Sequence, residues 1–137
     1  MNNAITVEAI VNASIEKVWN AWITPQHIMQ WNNASPDWHC PAAENNLQVG
    51  GKFTSTMAAK DGSFSFDFGG THTEIKRHEL IASTMDDGRK MEVRFIADGD
   101  KTKVVEAFEP ENENPLDMQQ AGWQAILDNF KKHVEAN

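Results

Sequence analysis

Apolar side chains recur at every second position from Ile5 through Val7 and Ala9 to Val11, the spacing of a strand with one buried face. Asn12-Ala13-Ser14 ends that run. Ser14 is placed to cap a helix, and Glu16 falls in the first turn, where the helix dipole favours a carboxylate. Val18, Trp19 and Trp22 follow helical spacing, and Thr24-Pro25 signals a second start with Pro at the first helical position. The pattern predicts two short helices broken at Ile23-Thr24, the second carrying Ile28, Met29 and Trp31.

Period two returns at Val49. Gly50-Gly51 predicts a bulge or tight bend into a strand running through Phe53 to Met57. Lys60-Asp61-Gly62 is a turn, after which Phe64, Phe66 and Phe68 share one face. Gly69-Gly70 reads as a break before a strand at Thr71–Arg77, and Leu80–Met85 is the next strand. Asp86-Asp87-Gly88 and Asp98-Gly99-Asp100 mark hairpin turns around Met91, Val93 and Phe95, and Thr102–Phe108 is the last strand. The spacing predicts one antiparallel meander of six or seven strands.

The chain then turns helical from Leu116 to about Glu135. Leu116, Gly122, Trp123, Ile126, Leu127, Phe130 and Val134 fall within about 140° of one another, with Asp128, Lys131, Lys132 and Glu135 opposite. So broad an apolar face needs a wide partner, and the sheet is the only candidate. Gly122 inside this helix predicts close packing or a bend, since it weakens a helix by about 1 kcal/mol relative to Ala. The expected class is α+β, one domain over residues 1–137, with helices on one face of a curved sheet.

Composition narrows the function classes. The 12 Lys and Arg against 20 Asp and Glu, a formal net charge of −8, argue against a nucleic-acid partner, which needs a basic stripe. Cys40 is the only cysteine of the 137 residues, the start MNNAITVEAI lacks the features of a signal peptide, and no apolar run is long enough to span a membrane. These features predict a soluble protein in a reducing, cytoplasmic setting.

The segment Lys17–Cys40 holds four of the five tryptophans, two of the five histidines and the cysteine. Adjacent His39 and Cys40 are poorly arranged to ligate one metal ion, and neighbours on extended backbone point apart, which also disfavours a thiol–imidazole pair. His72 and Glu74, two apart on a strand, share a face by spacing; two residues do not make a metal site. Trp19 and Trp22 read as core, while Trp31 and Trp38 are candidate lid residues because Asn32, Asn33, Ser35 and Asp37 surround them. Polar residues on apolar faces are the sharper signal: Gln119 in the helix arc, Glu106 alternating with Val104 and Phe108, and His72. Glu106 faces water instead if Val105 and Ala107 point inward, and Gln119 is solvated if the helix start is exposed.

The segments ITVEAIVNASIEKVWNAWITPQHIMQW, VGGKF, FDFGGTHTEI, MEVRFIADGDKTKV and GWQAILDNFKKHVE together resemble homologues of the activator of heat-shock protein 90 ATPase. That family belongs to the helix-grip superfamily of START-like, SRPBCC proteins, and the stretch from Trp31 to Phe53 resembles its bacterial stand-alone branch. Against the eukaryotic co-chaperone, the resemblance covers only the C-terminal-type domain. It implies a sheet wrapped on the C-terminal helix around an apolar cavity, with no fixed catalytic residues and no cofactor. In that cavity the candidate aromatic and apolar contacts are Trp31, Trp38, Phe53, Met57, Phe66, Met91 and Trp123. The candidate polar contacts are His72, Glu106 and Gln119.

The expected function is binding of a small hydrophobic or amphipathic molecule between sheet and helix. Two other classes compete: an interaction module docking a chaperone or other protein with its core packed shut, and, last, an enzyme using the cavity for acid–base chemistry.

Overall fold

The computed structural model describes all 137 residues. β1 (Ile5–Val11) leads into α1 (Ile15–Ile23) and α2 (Pro25–Trp31); β2 (Trp38–Asn45), β3 (Lys52–Ala59), β4 (Ser65–Lys76), β5 (Leu80–Met85), β6 (Lys90–Asp98) and β7 (Lys101–Phe108) form the meander; α3 (Leu116–Ala136) closes the chain. All seven strands join one antiparallel sheet in the order β1-β7-β6-β5-β4-β3-β2, curled around α3 as a helix-grip fold.

Local chemistry explains the boundaries. The Ser14 hydroxyl accepts from the Lys17 amide and caps α1, while Pro25 opens α2 and Thr24 spends its own hydroxyl on Asn20 Oδ1 instead of capping. The Trp-rich segment closes the core: Trp22 stacks on Trp31 with ring centroids 4.9 Å apart, and the Phe130 ring of α3 meets both edge-on at 4.9 and 5.0 Å. Such aromatic contacts each add about 0.5–1.5 kcal/mol beyond area burial. The Trp31 indole N–H donates to the Ala21 carbonyl at 3.0 Å, so its one polar group is satisfied inside the core.

The strands depart from the sequence pattern in three places. Residues 38–45, where the hydrophobic pattern predicts no strand, form the edge strand β2, with a register shift between His39 and Ala42. Gly69-Gly70 does not break a strand; β4 runs through it for 12 residues. A Cβ at Gly69 would lie 2.5 Å from the Phe53 carbonyl oxygen, and one at Gly70 2.4 Å from that of Thr84, so both glycines let neighbouring strands approach. The seven strands fall within the expected six or seven although their members differ. Third, a bulge between His72 and Glu74 puts them on opposite faces: His72 is buried and Glu74 is exposed.

Leu127, Phe130 and Val134 of α3 are buried against the sheet, but Leu116 at its start is exposed. Gly122 is not closely packed, because a Cβ there would meet nothing within 4 Å.

Candidate functional site

Between the concave face of the sheet and the helices lies a half-open cavity of about 110 Å³. Trp22, Ile28 and Trp31 wall it from α1 and α2, Ile126 from α3, and Phe53 and Phe68 from β3 and β4. Ile81, Met91 and Val93 complete the apolar lining from β5 and β6. Asn32, Glu44, Asn45, Ser55, His72, Ser83 and Glu106 supply the polar part of the lining, so the walls mix apolar surface with polar groups as a small-molecule site does.

Glu106 is the distinctive one. Alternation on β7 turns Thr102, Val104, Glu106 and Phe108 inward, while Val105 and Ala107 are only half-buried. Its cross-strand neighbours are Val7 and Val93, so the carboxyl stands in an apolar row, 5% exposed. Burial pushes its pKa up to about 8, and no hydrogen bond to a protein group opposes that rise. No side-chain N or O in the protein is sealed from all contact without a partner, so this unpartnered carboxyl opens onto the cavity it lines. At neutral pH it is a neutral acid offering one O–H.

His72 differs in being fully partnered. Asn45 Nδ2 donates to the Ile23 carbonyl at 2.9 Å, which turns Asn45 Oδ1 toward His72 Nε2 at 2.7 Å. Nε2 therefore carries the proton, and Nδ1 accepts from the Ser83 hydroxyl at 3.0 Å. Burial holds the imidazole pKa below its usual range, keeping the ring neutral, and the ring stacks on Phe53 at 5.0 Å. This relay ties the end of α1 to β2, β4 and β5 and fixes one cavity wall. Both ring nitrogens are committed, so His72 is poorly placed to move a proton.

Of the candidates read from the sequence, the cavity brings together Trp31, Phe53, His72, Met91 and Glu106. The others lie elsewhere. Trp38 and Phe66 meet Phe64 at ring distances of 6.2 and 5.9 Å, forming an aromatic group with Phe64 and Phe66 exposed. Met57 is buried opposite Phe66 on β3, outside the cavity lining. Gln119 is buried but spent on the loop before α3: Nε2 donates to the Glu111 and Asn114 carbonyls, and Oε1 accepts from the Glu111 amide. Trp123 stacks face to face on Phe108 at 3.8 Å.

Trp22, Asn45 and Ser83 line the cavity without having been singled out from the sequence. Ser83 carried the same signal as Glu106, a polar residue alternating with buried Ile81 and Met85 on β5. Asn45 carries none, because Trp38–Asn45 has no clean apolar alternation.

Cys40 is buried on β2, its thiol donates to the Ala42 carbonyl, and burial raises its pKa, whereas His39 faces outward. That combination describes a protonated packing residue. No three His, Cys, Asp or Glu side chains converge as metal ligands, and no helix is long and apolar enough to cross a membrane.

The family described as "Activator of Hsp90 ATPase homolog 1-like protein" matches residues 12–135. An AHSA1-like protein from Aeromonas hydrophila, solved by NMR, is 47% identical, with a TM-score of 0.91 over 97% of this chain and 92% of that one. A protein from Cytophaga hutchinsonii is 57% identical, with a TM-score of 0.84 over 99% of this chain and 94% of that one. A Chromobacterium violaceum protein shares the fold at 22% identity, with a TM-score of 0.87 over 98% of this chain and 99% of that one. No curated protein matches the chain.

Proposed function

This chain belongs to the family of Activator of Hsp90 ATPase homolog 1-like proteins, and we propose that within it the chain binds a small apolar or amphipathic molecule in the cavity between sheet and helices. The observation that carries this reading is Glu106, a buried carboxyl with no protein partner facing the cavity. An unpaired buried polar group costs about 1–3 kcal/mol. A ligand that pairs with it offsets that cost.

The cavity sets the size. An apolar cavity of roughly 150 Å³ accepts benzene, so about 110 Å³, open on one side, encloses a short alkyl segment or part of one ring, with the rest of the ligand at the mouth. Affinity would come from burying that segment, at about 25 cal/mol per Å², and orientation from Glu106.

NMR titration of the labelled protein with benzyl alcohol, cyclohexanone and benzylamine tests this. Saturable shifts centred on the Trp31 indole N–H and the amides of Ser83, Val93 and Glu106 are expected. Absence of saturable shifts at millimolar concentration for all three refutes the reading.

One observation favours a second reading, docking of a protein partner: Phe64 and Phe66 are exposed side by side next to Trp38. An Hsp90-type chaperone added to the protein would then change Trp38 fluorescence and protect these rings. A chaperone that leaves both unchanged removes this reading and leaves the first intact.

A further inference from the structure

The walls of the cavity are electrically one-sided. Among its lining residues there is no Lys and no Arg; the ionisable side chains are Glu106, the exposed Glu44 and His72. His72 has both nitrogens committed and stays neutral, so it supplies no positive charge. A ligand carboxylate or phosphate would meet no cation in the cavity, and would be repelled once Glu106 ionises. Fatty acids and other anionic amphiphiles are thus poorly matched to this site.

The remaining walls reward a positive charge. Trp22, Trp31, Phe53 and Phe68 surround the space with aromatic rings, whose electron-rich faces attract ammonium groups. Glu106 stands among them without a protein partner, 5% exposed. The chain's net charge of −8 also draws cations toward it. Resting on the binding function proposed above, we infer that the ligand is a small organic cation, an amine on an apolar body, with Glu106 as its counter-ion.

Binding then carries a defined proton balance. Below about pH 8 the Glu106 carboxyl is protonated. When the ammonium group enters, Glu106 gives its proton to solvent, and the carboxylate accepts an N–H of the ammonium. At pH 7 close to one proton leaves per ligand bound. At pH 9, where Glu106 is already ionised, almost none does, and affinity is about tenfold higher than at pH 7. The other ionisable wall groups do not mimic this, because Glu44 is exposed and His72 is held neutral.

The test is calorimetric titration of the whole protein with three probes of one shape: 3-phenylpropylamine, 3-phenyl-1-propanol and 3-phenylpropanoate. Two buffers of different ionisation enthalpy give the protons released at pH 7 and pH 9. The amine is expected to bind at least about tenfold tighter than the alcohol, the ratio a single charge-assisted contact supplies, and the carboxylate weakest. Glu106→Gln should abolish both the proton release and the preference for the amine over the alcohol. Equal binding of amine and alcohol, stronger binding of the carboxylate, or amine binding without proton release overturns the inference but leaves the binding function standing. If none of the three binds, both fall.

Discussion

Glu106→Gln should stabilise the free protein, and increasingly so as pH rises. A carboxyl whose folded pKa is raised contributes fully below its unfolded pKa and loses that contribution as pH climbs to the folded one. Glu106 titrates at about 8 in the fold and near 4.5 in the unfolded chain. At about 1.4 kcal/mol per pH unit, that gap of roughly 3.5 corresponds to about 5 kcal/mol, reached once both states are ionised. Glutamine keeps the shape and never ionises. The difference in stability between variant and wild type should therefore grow by about 3 kcal/mol from pH 5.5 to pH 8.5. Urea unfolding followed by tryptophan fluorescence measures it at each pH. His72 and His133 have pKa values lowered by burial, with His27 adding to the effect at His133, so their contributions are lost on the acid side. They cancel between the two proteins, and stopping at pH 8.5 keeps Cys40, whose pKa burial raises from 9.0, out of the window. Parallel stability profiles from pH 5.5 to 8.5 would show that Glu106 is not a buried neutral acid.

Gly122→Ala should raise stability by about 1 kcal/mol in thermal unfolding, because the new methyl meets nothing within 4 Å and the helix gains propensity; a loss would mean the helix packs more closely there. Gly70→Ala should instead cost about 2–3 kcal/mol, since its Cβ would sit 2.4 Å from the Thr84 carbonyl oxygen and force two strands apart. Denaturant midpoints equal to wild type would contradict that. Trp123→Ala should cost about 3 kcal/mol through loss of the Phe108 stack, and a loss under about 1 kcal/mol would make that stack energetically idle.

The parts of the fold that were legible are those where burial imposes a clean period. β1, β5 and β7 alternate, and the α3 pattern places Leu127, Phe130 and Val134 inward as observed. β2 escaped because it is an edge strand: Pro41 interrupts it, a register shift follows His39, and its side chains are mostly half-buried or exposed. Gly69-Gly70 misled for a related reason, since a glycine pair that permits close strands looks the same as one that ends a strand.

The site was half legible on the same grounds. Glu106 breaks an apolar row, which is visible along one strand. The Ile23–Asn45–His72–Ser83 relay joins four distant segments, and nothing local announces such a chain. Phe66 shares its strand face with Phe68, yet only Phe68 reaches the cavity; Phe66 instead joins the exposed group with Phe64 and Trp38.

The strand order also sets a sequence of events in folding. From β2 to β7 every pairing joins consecutive strands, and hairpins of that kind close in about 1–10 μs. β1 alone must find a distant partner: Ile5 pairs with Phe108. Closing so long a loop is entropically unfavourable until the other contacts reward it. The meander should therefore assemble first, with β1 docking late and bringing α1 and α2 down with it. Until then Glu106, already on β7 beside Val93, stays in water as an ordinary carboxylate. Its neutralisation marks the final step, so the folding rate should slow with rising pH while the early collapse does not.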